Sequence, residues 1–168
     1  MTEARVKNQS QDVSEILETL PELKKVEAHI AEFHANFPDL VRSKVLAYSE
    51  SADLRLPIYA IELGSTDPQA PVLGWTGGVH GIERIGAEVV IALMSSLGHL
   101  LQWDEGTREL LKHIRVFFVP IVNPIGVKNH TRSNPNGVDL MRNAPIEGTE
   151  APLLVGGHRI SNKLPWYR

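Results

Sequence analysis

Residues 72–101 run from a short β-prone strand, Val72-Leu73-Gly74-Trp75-Thr76, through Gly77-Gly78 directly into a long apolar-periodic segment carrying Val89, Val90, Leu93, Met94, Leu97 and Leu101. A strand, a tight turn and a helix in immediate succession form the first two-thirds of a crossover unit. The next β-prone run, Ile114-Arg115-Val116-Phe117-Phe118-Val119, is continuous enough to be buried on both faces, as strands inside mixed or parallel sheets are. The chain therefore reads as an α/β domain, a mixed, mostly parallel sheet with flanking helices. Ligands in such sheets gather at the carboxyl ends of the strands, here residues 77–84 and 120–143.

Upstream, Leu23, Val26, Ile30 and Phe33 share one helical face that ends at Asn36-Phe37-Pro38-Asp39. Val13, Ile16, Leu17 and Leu20 predict a shorter helix before Pro21, inside a polar N-terminal extension over residues 1–20. Val45–Tyr48 and Ile58–Ile61 predict a hairpin. No repeat or linker divides residues 21–168, which read as one catalytic-domain portion.

Seventeen basic against twenty acidic residues, with no basic stripe, argue against nucleic acid as a partner. Zero cysteines exclude thiolate sites, so a metal must be held by imidazole and carboxylate. The first twenty residues lack a signal-peptide core and the longest apolar run, Val89–Met94, is too short to span a bilayer, so no membrane partner and a cytoplasmic location are expected.

His80-Gly81-Ile82-Glu83 places an imidazole and a carboxylate where a turn of backbone can converge them on one zinc ion. Seven histidines and fourteen glutamates make about 0.6 such pairs by chance, so spacing alone decides little. A second pair, His29 and Glu32, lies within the amphipathic helix, where i, i+3 neighbours are ordinary. His80 and Glu83 instead follow a strand and two glycines at the favoured edge of the sheet; the alternative is a loop histidine beside a helix-start glutamate. Arg132 and Arg142 follow the buried strand, and arginine's fork suits carboxylates and developing oxyanions. Asp139 is the candidate to accept the second N–H of His80, unless Asn136-Gly137 merely makes a turn there.

Gly77-Gly78-Val79-His80-Gly81-Ile82-Glu83, Asn123-Pro124-Ile125-Gly126 and Gly137-Val138-Asp139-Leu140-Met141-Arg142-Asn143 together resemble the zinc carboxypeptidase (M14-type) family in order and separation, over roughly residues 28 to 143. The resemblance implies one zinc ion held by His80, Glu83 and a later histidine, with a later glutamate as general base. It implies Arg132 at the tetrahedral oxyanion, Arg142 and Asn143 at the substrate's carboxylate, and Asp139 behind His80. Met141 stands where the family commonly has asparagine, and a thioether offers a carboxylate no N–H donor. The third ligand and the base are expected beyond Arg168, which makes the chain a truncated portion, inactive alone, with an apolar flank of the 114–119 strand uncovered. The expected substrate is a peptide or an acyl-amino acid; the alternatives are an N-acyl-amino-acid deacylase of the aspartoacylase and succinylglutamate desuccinylase type, or a non-catalytic remnant serving as an interaction module.

Overall fold

A computed structural model describes residues 20–142. The helix predicted over Val13–Leu20 and the boundary at residue 20 lie almost wholly outside the described residues, as does Asn143.

Helix α1, Pro21–Asn36, begins with proline at its first position, where the missing N–H is no loss, and buries Leu23, Val26 and Phe33. Strands β1, Val41–Glu50, and β2, Arg55–Gly64, form the expected hairpin, longer at both ends than their apolar centres suggested. Strand β3, Val72–Thr76, leads into α2, Ile85–Trp103. A short helix α3, Glu105–Leu111, precedes β4, Arg115–Val119, and a second short helix α4, Pro124–Asn129, follows it. Neither short helix was expected. Both start on a side-chain cap: Asp104 accepts from the N–H groups of Gly106 and Thr107, and Asn123 accepts from that of Gly126.

The sheet order is β1-β2-β4-β3. It is mixed with flanking helices, as expected, but among the described residues only β3 and β4 pair in parallel, while β1–β2 and β2–β4 are antiparallel. The expected bare flank of the 114–119 strand is also corrected. β4, the most apolar strand, takes an interior position between β2 and β3, and among the described residues the edge strands are β1 and β3, the latter exposed along its whole length. Val116, Phe118 and Val119 are buried.

Helix α2 is 19 residues long with mean hydropathy 1.4, so by length and composition alone it could cross a bilayer, contrary to the short run read from the sequence. Its face carrying Ala87, Val90, Ile91, Met94, Gly98 and Leu101 is buried, as in a helix packed on a sheet. At the crossing with α1 a Cβ on Gly98 would lie 2.8 Å from Cε1 of the fully buried Phe33. Gly98→Ala is therefore expected to destabilise the fold by about 1–3 kcal/mol through overpacking, read by denaturant unfolding.

Candidate active site

The site grows from the carboxyl ends of β3 and β4. Beyond Thr76 and Val119 the two strands keep contact: Gly77 N–H donates to the Val119 carbonyl (3.0 Å), Val122 N–H to that of Gly77 (2.9 Å) and Asn123 N–H to that of Gly78 (2.9 Å). The glycines are required by this proximity. A Cβ on Gly77 would lie 2.4 Å from the Gly86 carbonyl oxygen, and Gly78 adopts φ 57°, the left-handed region open to glycine. One turn later, Gly81 N–H donates to the Thr131 carbonyl (2.8 Å), pinning this loop against the segment after α4.

Asn123, 1% exposed, joins the two loops from below. Its Nδ2 donates to the carbonyls of Val79 (3.3 Å) and Ser133 (3.1 Å) while its Oδ1 caps α4. Sequence reasoning assigned it no role; the Asn-Pro dipeptide ahead of a short helix was the available signal.

His80 is buried, and the turn closed by Glu83 N–H on the His80 carbonyl (3.1 Å) brings both side chains to one side. Nε2 of His80 lies 3.0 Å from Oδ1 of the buried Asp139, and Nδ1 lies 3.2 Å from Oε1 of Glu83. With Nε2–H donated to Asp139, Nδ1 presents a lone pair toward a carboxylate. Two acceptors so close call for a cation between them, a proton or a metal. His29 and Glu32 show what distance alone is worth: they approach to 3.4 Å on the face of α1, with the His29 ring stacked on Phe33. Burial, the supporting carboxylate and the strand-end position distinguish His80.

Arg132 spans the site. Its Nε donates to Oδ2 of Asp139 (2.7 Å) and its Nη1 to Oε1 of Glu83 (3.3 Å). The Asn134 side chain accepts from the N–H groups of Asn136 and Val138, and Gly137 sits at φ 76°, so the expected Asn-Gly turn exists and delivers Asp139 to His80. Arg142 takes part through its backbone N–H, which donates to the Asp139 carbonyl (3.1 Å). A pocket of about 300 Å³ opens here, lined by His80, Glu83, Met141, Ile85 and the glycine turn; Met141, not Arg142, forms its wall. Thus His80, Glu83, Arg132 and Asp139 are brought together.

Burial alone would raise the Asp139 carboxyl, but its hydrogen bonds from Arg132 and His80 outweigh this and hold it below the usual carboxylate range. The folded state then binds fewer protons than the unfolded one, so this stability is complete above the ordinary aspartate value near ~3.9 and is lost as pH falls through the depressed folded value. Unfolding free energy measured between about pH 2 and 6 is expected to rise with pH, and Asp139→Asn is expected to flatten that rise.

The order of these elements is that of a known group of hydrolases. The family profile for zinc carboxypeptidase, Peptidase M14, matches residues 26–152. The chain belongs to the zinc carboxypeptidase family. This member is 27% identical to carboxypeptidase D of Mus musculus over 130 residues, covering 71% of this chain and 9% of that protein. It is 26% identical over 152 residues to the carboxypeptidase N catalytic chain of Homo sapiens, covering 73% of this chain and 33% of that protein. A metallo-carboxypeptidase from Burkholderia cenocepacia superposes with TM-score 0.53 and 26% identity over 69% of this chain and 31% of that chain. The chain therefore spans a third or less of these relatives. His80 and Glu83 fit two positions of a zinc sphere by donor type and convergence; among the described residues no group of three His, Cys, Asp or Glu side chains could hold the ion.

Proposed function

We propose that the protein is a zinc-dependent metallocarboxypeptidase-like hydrolase of peptide or amide bonds, to which this chain contributes His80 and Glu83 as two ligands of one zinc ion. The observation that carries the reading is the convergence of His80 Nδ1 and Glu83 Oε1, 3.2 Å apart, with Asp139 at the other ring nitrogen. When bound, zinc lowers the pKa of a water and polarises a carbonyl. The chain's own residues prepare for that. Asp139 fixes the imidazole tautomer and its orientation. Arg132, already at the carboxylate edge of the site, has a fork suited to the oxygen that gains charge as a carbonyl is attacked. Arg142 and Asn143 would recognise the substrate's carboxylate, and the third ligand and general base are supplied from outside residues 20–142.

The test is hydrolysis of a peptide with a free C-terminus, its amidated form and an N-acyl-amino acid, with zinc and with chelator, by this chain and by a version extended along its reading frame. Zinc-dependent cleavage by the extended version is expected; cleavage unaffected by chelator contradicts the proposal. Because Met141 walls the pocket without a donor, Met141→Asn is expected to shift preference toward the free carboxylate over the amide by about tenfold, ~1.4 kcal/mol, one added hydrogen bond to a charged group.

A further inference from the structure

Arg84, the residue after Glu83, breaks two local rules. It occupies the N-cap of α2 in helical conformation (φ −57°, ψ −25°) with no side-chain cap, and it puts a cation where the helix dipole favours an anion. The compensation comes from 62 residues away. Glu22, only 2% exposed and in the first turn of α1, accepts a two-pronged pair from Arg84, Nε to Oε1 and Nη2 to Oε2, both at 2.5 Å. Its carboxylate thus lies where the N-termini of two helices meet, favourable to both dipoles. Burial would raise the Glu22 carboxyl, but the Arg84 pairing prevails and holds it below the usual range. The other prong of the guanidinium, Nη1, lies 3.5 Å from Nε2 of His130, whose left-handed backbone (φ 52°) ends α4 two residues before Arg132.

Arg84 therefore touches the three segments that frame the site: the start of α1, the peptide adjoining Glu83, and the turn leading to Arg132. The Glu83 side chain is half-exposed and held at its tip by His80 and Arg132, while its backbone is held within the turn by the His80 carbonyl and the Gly86 N–H. A cation at an uncapped helix start, held by a buried carboxylate 62 residues away, ties the residue after Glu83 to the start of α1.

We infer that the Glu22–Arg84 pair is the positioning element for Glu83, holding its backbone so that the carboxylate converges with His80 on a metal. The inference rests on the zinc reading above and concerns metal affinity, not chemistry. A second tie between the same helices, Lys25 to Glu88 at 2.8 Å, is solvent-exposed and one turn away from the ligand, which makes it the internal control.

The experiment is zinc titration against a chromophoric competitor, well below the unfolding midpoint, on the version extended along its reading frame, unaltered and as Lys25→Met, His80→Ala and the double variant Glu22→Leu/Arg84→Met. The apolar double variant removes both charges together, so no buried charge is stranded and folding survives. It is expected to keep its thermal midpoint and lose zinc affinity about 10–100-fold, the effect usual for groups that orient ligands, while Lys25→Met leaves affinity within about twofold. Equal affinity in the folded double variant, or an equal loss in Lys25→Met, overturns the inference alone. An unaltered extended protein that takes up no zinc, or does so undiminished by His80→Ala, overturns the metal reading and this inference with it.

Discussion

Gly81→Ala is expected to cost this protein more than any other single-methyl change near the site. An added Cβ would lie 1.9 Å from the carbonyl oxygen of Gly126 and 2.0 Å from its carbon, both backbone atoms. Flexible side chains can step aside; here two loops would have to part. Parting them stretches the Gly81 N–H bond to the Thr131 carbonyl, and it displaces His80 next door, whose imidazole is held from the far side by Asp139. Gly126 cannot retreat either, because Asn123 caps its N–H from beneath. A loss of about 3 kcal/mol or more is expected, at the upper end for overpacking, together with loss of measurable zinc binding. Denaturant unfolding and zinc titration read the two effects; a variant within about 0.5 kcal/mol of the unaltered chain would mean that the loops are not in this contact.

Asp139→Ala is expected to produce the second large effect, chiefly on the metal. Among the described residues the carboxylate accepts from His80 Nε2, Arg132 Nε, and the backbone N–H groups of Met141 and Arg142. Its removal frees the imidazole to rotate or change tautomer, and releases Arg132 to pair with Glu83 alone, in competition with any ion there. Zinc affinity should fall by about 10–100-fold. Stability should fall by about 2 kcal/mol, less than for a fully buried pair because Arg132 is partly open to solvent. Asp139→Asn, which keeps an acceptor oxygen for His80, should recover part of the affinity, as read by the same titration. Unchanged zinc affinity in Asp139→Ala would remove this carboxylate from the support of His80.

These effects trace to features of unequal visibility in the sequence. The strand, double-glycine turn and helix of residues 72–103 were legible because two periodicities meet at residues that tolerate close backbone approach. The hairpin was legible at its centre but not in extent. Arg42, Lys44, Arg55 and Glu62 continue its strands with charged side chains that interrupt the apolar pattern. The two short helices escaped because six or seven residues carry too little periodicity, and only their caps, Asp104 and Asn123, announced them.

At the site, His80 and Glu83 could be singled out from local context, since both stand beside Gly77-Gly78. Asp139 could be proposed because a ligating imidazole needs a carboxylate behind it, but nothing local couples residues 59 positions apart, so the contact itself was not visible in the sequence. Glu22 and Arg84 were not visible at all, since Glu22 alone is an ordinary helix-start residue and the significance of both lies in the fold that joins them. Likewise, that β3 rather than β4 lies at an edge of the sheet among the described residues depends on strand order, which composition alone could not settle.

The central claim is that His80 and Glu83 are two ligands of one zinc ion, and isothermal zinc titration of the version extended along its reading frame, unaltered and as His80→Ala and Glu83→Gln, tests it most directly. One zinc per chain, with affinity reduced at least tenfold in each variant, is the predicted result, since each removes one donor from the pair that converges at 3.2 Å. Zinc bound equally well by all three proteins, or by none, would contradict it.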